Sequence, residues 1–160
     1  MSTEQLMIQS ALANWRLTIR RATNVFSGLT EEQFYQEIAP GRNRPIYILG
    51  HLVALHDATL ALLGLGERSH VDLDLIFIQT PDRTVENIPS TGELKKYWTE
   101  VNHALLGKLQ TLTPEQWLER HLAVSDEDYA NDSTRNRFSV FLNRTNHTAF
   151  HLGQLVLTRR

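Results

Sequence analysis

Near the end of the chain, in Asn146-His147-Thr148-Ala149-Phe150-His151-Leu152-Gly153-Gln154, two histidines stand four residues apart in a stretch that reads as continuous helix. At about 100° per residue, such a pair lies on one face, one turn apart. Two imidazoles placed this way can share one metal ion, provided a third ligand arrives from elsewhere. The spacing alone is not specific, since seven histidines in 160 residues produce about 0.3 such pairs by chance. Thr148 occupies the position where zinc proteases carry a glutamate base, so the H-E-x-x-H reading fails. The helices do not offer the two Glu-x-x-His motifs that a di-iron bundle needs, since Glu100-x-x-His103 is the single one on a predicted long helix. With no cysteine, thiolate metal sites, disulfides and a cysteine nucleophile are excluded, and any thiol chemistry needs a thiol from outside. The reading that survives is a mononuclear three-histidine site with open positions for water or substrate.

Among the other histidines, His51 lies mid-helix beside an apolar stripe and faces inward, which makes it the best third ligand. Pattern alone leaves it open between that role and a buried neutral histidine of the core. His56 is about 140° around the same helix from His51, so the two cannot share one face. His103 points to solvent, and His70 and His121 fall in loop or short-helix context. Gln154 continues the His147–His151 face one turn further on, either as a hydrogen-bond partner of a ligand, as a substrate contact, or as an ordinary polar residue near a helix end.

The elements that must position these groups follow from hydrophobic period. Ile8, Leu12, Trp15, Ile19, Ala22 and Phe26 keep a 4-3-4-3-4 rhythm, which predicts an amphipathic helix over residues 3–27. Thr30 and Gln33 form the capping box of a short helix that Pro40-Gly41 ends. A second long helix is predicted over 45–63, with Pro45 in its first turn and Gly64 at its C-terminus. A third is predicted over 91–112, followed by a short helix opened by Thr113 and Pro114. Residues 124–134 read as a polar loop, and a fourth long helix runs from Ser133 onward. Four amphipathic helices, none apolar all round, predict an all-α, four-helix bundle in a single domain over 1–160.

Between the second and third helices, residues 65–90 break the rhythm, and Asp72 to Phe77 alternates like an extended segment. A helix of about 19 residues is about 28 Å long, and an extended chain covers that in roughly nine residues. The connection is therefore long enough to return along the bundle and let the second and third helices run parallel, although a hairpin with a long decorated loop fits the same length. Leu29-Thr-Glu-Glu-Gln-Phe34 and Leu112-Thr-Pro-Glu-Gln-Trp117 echo one another. Either two helix–short helix–helix halves or the same capping chemistry used twice accounts for this.

Composition narrows the function classes. Hydrophobic residues make up 41% and charged ones 21%, as in ordinary globular domains. The net charge of −2, with Lys and Arg scattered, lacks the basic footprint of a nucleic-acid binder. No apolar run approaching membrane-spanning length and no secretory leader pattern stand out, so a cytoplasmic protein is expected.

Pro45-Ile-Tyr-Ile-Leu-Gly-His51-Leu-Val after a Pro-Gly-Arg loop, His147-x3-His151-x2-Gln154, and the helix order together resemble the DinB-like (DinB/YfiT) superfamily of small metalloenzymes, over essentially the whole chain. The resemblance implies up-down-down-up topology, in keeping with a long crossover between helices 2 and 3. It implies that His51, His147 and His151 bind one divalent metal ion, zinc or nickel first, with iron or manganese as further candidates. It also implies a homodimer and a small-molecule reaction, S-transfer or isomerisation, that uses a low-molecular-weight thiol such as bacillithiol, mycothiol or glutathione. A metal-dependent hydrolase and a non-catalytic, metal-binding, stress-related bundle are the competing expectations.

Overall fold

A computed structural model describes residues 1–159. The order is α1 (Thr3–Gly28), α2 (Glu31–Tyr35), α3 (Pro45–Leu62), a π-helical turn (Leu75–Gln79), α4 (Thr91–Leu109), α5 (Pro114–Leu118), α6 (Asp126–Asn131), α7 (Arg137–Leu155) and a 3-10 turn (Val156–Arg159). Among the described residues extended backbone pairs only in one isolated bridge, Arg120 to Asn136, so the fold is all-helical.

Local chemistry explains most boundaries. Ser2, Thr30, Ser90 and Thr113 each accept from the backbone three residues on, while Gln5, Gln33, Glu93 and Gln116 reach back in reciprocal capping boxes. Gly64, with φ of 66°, takes the left-handed conformation just past the end of α3. The echoed segments become α2 and α5, each five residues long and each burying one aromatic side chain, Phe34 and Trp117.

Three expectations need correction. Residues 126–131 are helical rather than loop: Ser125 caps α6, and Asp126, Glu127 and Asp128 suit its positive N-terminal end. That helix buries nothing, so no hydrophobic period announced it. The alternation from Asp72 to Phe77 leads into a π-helical turn, because Leu73 and Phe77 are the buried pair while Leu75 is 57% exposed. A period of two over so few residues does not separate strand from helix. Finally, α3 is apolar nearly all round: twelve of its eighteen residues are buried. By length and composition α3 is long and apolar enough to cross a membrane, yet 67% of it is buried inside the protein. A core helix enclosed on several sides has that composition.

Two apolar clusters divide the interior. The first joins Ala22, Val25 and Phe26 of α1 with Leu49, Leu52 and Val53 of α3, Leu94, Trp98 and Val101 of α4, and Leu155 of α7. The second joins Leu12 and Trp15 of α1 with Leu60 of α3, Leu105 and Leu109 of α4, and Phe141 of α7, together with Leu63 just after α3. α1 and α7 thus enter the second cluster with their N-terminal halves, and α3 and α4 enter the first with theirs.

The segment after α3 runs back along that helix. Arg68 Nε and the backbone N–H groups of Ser69 and His70 all donate to the buried Asp57 carboxylate, at 3.1, 2.8 and 3.1 Å. Phe77 packs beside Gly50, Tyr47 Oη donates to the Thr80 carbonyl at 2.6 Å, and Arg44 pairs with Asp82 at 2.7 Å. Successive positions along the crossover therefore meet α3 in reverse order, from Asp57 down to Arg44, and α4 begins near the end where α3 began. Tyr97 is half-buried against His70, with ring centroids 4.1 Å apart.

Candidate metal centre

α3 and α7 lie side by side in opposite directions: His51 meets His147, His56 meets Thr148, Thr59 meets Arg144, and the Leu63 carbonyl beyond α3 accepts from Arg137. This pairing brings His51 to the two histidines of α7 across 96 positions of sequence. His147 Nε2 lies 3.5 Å from His51 Nε2 and 3.2 Å from His151 Nε2, and one ligand atom from each of the three falls within 4.8 Å of the others. Metal–nitrogen bonds of 2.0–2.1 Å in a tetrahedral set place donor atoms about 3.3 Å apart, so the two short separations fit one bound ion.

The outer nitrogens decide the tautomers. His51 Nδ1 donates to the Phe77 carbonyl at 2.8 Å, and His151 Nδ1 to Gln154 Oε1 at 2.8 Å. A carbonyl oxygen can only accept, so both Nδ1 atoms carry the proton and both Nε2 atoms present lone pairs to the centre. His147 Nδ1 is buried without a partner among the described residues. A single proton on His147 Nε2 cannot satisfy two facing lone pairs, whereas one cation satisfies all three. Tyr47 lies parallel to the His51 ring, with centroids 6.3 Å apart and an interplanar angle of 10°, and so packs its orientation.

Burial favours the uncharged imidazoles. It pushes His147 down to about 4, with His151, His51 and Arg144 adding repulsion. It also lowers His51, against the opposing pull of the Phe77 hydrogen bond, and lowers His151, against that of Gln154. At neutral pH the three donors are therefore already free to bind a metal. A cavity of 150 Å³, lined by Asn43, Tyr47, Ile48, His51 and His151, gives access. A larger cleft of 620 Å³ near the start of α7, lined by residues such as Arg120, Tyr129 and Arg137, has no such convergence of donors.

Two neighbours gave no functional signal in the sequence. Phe77 holds His51 through a backbone carbonyl, which no residue pattern reveals. His56 is fully buried between the Trp15 and Trp98 rings, at 4.9 and 5.3 Å. Its Nδ1 donates to Asn102 Oδ1 at 2.9 Å and its Nε2 accepts from the Thr148 hydroxyl at 3.0 Å, tying α3 and α4 to the residue beside His147. His103 is exposed, and neither His70 nor His121 joins the cluster.

An all-helical fold that gathers three imidazoles from two of its long helices defines a class of small proteins able to hold a metal ion. The chain belongs to the DinB superfamily, whose profile matches residues 14–155. Among solved structures it is similar to a crystal structure described as the conserved protein of locus from Enterococcus faecalis, with a TM-score of 0.67 and 17% identity over 100% of this chain and 96% of that one. At that identity the likeness speaks to the fold. No curated protein matches.

Proposed function

We propose that His51, His147 and His151 ligate one divalent metal ion, zinc or nickel first and iron or manganese next, and that the protein is a thiol-dependent S-transferase or isomerase. The observation that carries the metal reading is the convergence of three neutral imidazole nitrogens whose outer nitrogens leave the lone pairs facing inward. A divalent ion held there makes an incoming thiol a nucleophile near neutral pH. The chain's own residues supply orientation: Phe77 and Tyr47 set His51, and Gln154 sets His151. Among the described residues no carboxylate stands among the three histidines to serve as a base, and the chain has no cysteine, so the thiol is a cosubstrate.

Metal analysis of tag-free protein should find about one equivalent, which His51→Ala and His151→Ala each abolish; unchanged stoichiometry in both variants rejects the site. Assays with and without bacillithiol or glutathione then separate thiol chemistry from metal-dependent hydrolysis, and absence of both activities leaves a non-catalytic bundle. Gln154→Ala should weaken metal affinity by about 10–100-fold while leaving one site, because loss of the bond to His151 Nδ1 frees its ring and tautomer. Affinity equal to wild type in a competition titration with a chelator removes Gln154 from this role.

The same reading extends to the architecture. The long helices form a four-helix bundle in up-down-down-up order, supported by the shared halves of the two clusters and by the return of the crossover along α3. A cytoplasmic homodimer follows the family resemblance; light scattering on the purified protein tests the dimer.

A further inference from the structure

Five arginines are half-buried among the described residues. Four of them hold carboxylates: Arg44 with Asp82, Arg68 with Asp57 and Asp74, Arg120 with Asp126, and Arg137 with Glu119. The fifth, Arg144, has none within ion-pair distance among the described residues. Its Nε donates to the buried Thr59 hydroxyl at 3.0 Å, which fixes the guanidinium between α3 and α7 and leaves its terminal nitrogens without an acceptor among the described residues.

Arg144 also shares a helix face with the histidines. His147 follows it by about 4.5 Å of helix rise and His151 by about 10 Å. Its charge acts on both His51 and His147. Burial disfavours the charged guanidinium, and no anion among the described residues offsets this; nor is a carboxylate among the groups acting on His51, His147 or His151. Three neutral donors leave the double charge of a bound ion uncompensated, and a guanidinium nearby adds to it. A fixed fork of N–H donors with nothing to bind, beside an excess of positive charge, is suited to an oxyanion.

We propose that Arg144 is the anion-recognition residue of this site: it pairs with a carboxylate or phosphate on a small-molecule ligand whose other end reaches the metal. The proposal rests on the metal reading above. On this proposal the seam between α3 and α7 is a two-point site, metal at one end and guanidinium at the other, and it selects anionic over neutral substrates.

The test uses tag-free protein loaded with cobalt(II), whose thiolate charge-transfer band reports binding. The probes are 3-mercaptopropionate and 6-mercaptohexanoate against their amides, and 2-mercaptoethyl phosphate against 2-mercaptoethanol. In the wild type at least one anion should bind tenfold or more tighter than its neutral partner, and the pair with the larger ratio identifies the oxyanion. Arg144→Gln should bring that ratio to within about twofold while keeping one equivalent of cobalt and the neutral-thiol affinity, which separates the guanidinium from the attraction of the metal itself. Thr59→Val, which releases the tether but keeps the charge, should fall between the two and serves if Arg144→Gln does not fold. Full cobalt uptake with no anion preference in the wild type, or a preference that survives both substitutions, overturns the proposal alone. Failure of the wild type to take up cobalt overturns the metal reading, and this proposal with it.

Discussion

Gly50→Ala should lower the melting temperature by about 4–8 °C, equivalent to about 2 kcal/mol for a chain of this size. The direction is opposite to that of a normal glycine-to-alanine change in a helix, which gains about 1 kcal/mol. The reason is Phe77: a methyl group at position 50 would lie 2.5 Å from its Cε1 and Cζ, and Phe77 is wholly buried. The ring must withdraw, and the backbone carbonyl that holds His51 Nδ1 belongs to the same residue. Metal affinity should therefore fall with stability, by about tenfold or more. Adding Phe77→Leu should recover part of the melting temperature by relieving the contact. A Gly50→Ala variant that melts at or above the wild-type temperature refutes this packing account.

The second large effect concerns His56. Replacing it with leucine leaves the buried Asn102 amide oxygen without its donor, at a cost of about 2 kcal/mol. Its titration adds a pH dependence. Burial pushes His56 down to about 3, helped by repulsion from Arg144 and opposed by Asn102. The folded state thus keeps this ring neutral while an unfolded histidine gains its proton near 6.5, so its contribution is intact above pH 6.5 and is lost progressively as the pH falls towards 3. By pH 5 the loss from this one group is about 2 kcal/mol. Metal-free wild type should accordingly lose about 2 kcal/mol more between pH 7.5 and 5 than His56→Gln, which cannot titrate. Equal losses in urea melts of the two proteins rule out His56 as the source.

Much of this architecture is legible in the sequence because it rests on periodic or paired signals. The α1 stripe from Ile8 to Phe26, the caps at Thr30 and Thr113, and the glycine at 64 each express a local requirement. The His147–His151 pair and His51 were visible as candidates, and their convergence depended only on two helices lying together. What escaped the sequence depends on contacts between distant elements or on backbone atoms. α6 has no buried face to give it a period. Phe77 acts through a carbonyl, and the role of His56 arises only where Asn102 of α4 and Thr148 of α7 close around it. The lack of a carboxylate partner for Arg144 among the described residues is likewise a property of the assembled surface, since an arginine on a helix ordinarily reads as solvated charge.

The sharing of both apolar clusters by α1 and α7 has a consequence for synthesis. α1 is complete once residue 28 is made, but Phe141 and Leu155, which face the same clusters, follow more than a hundred residues later. At ribosomal rates of 5–20 residues per second, the apolar face of α1 waits on the order of 10 s for that partner. Two of the three imidazoles arrive with the same helix. The nascent chain therefore closes its core and its three-histidine pocket in one late event, and until then Trp15 and Phe26 are surfaces for a chaperone to cover.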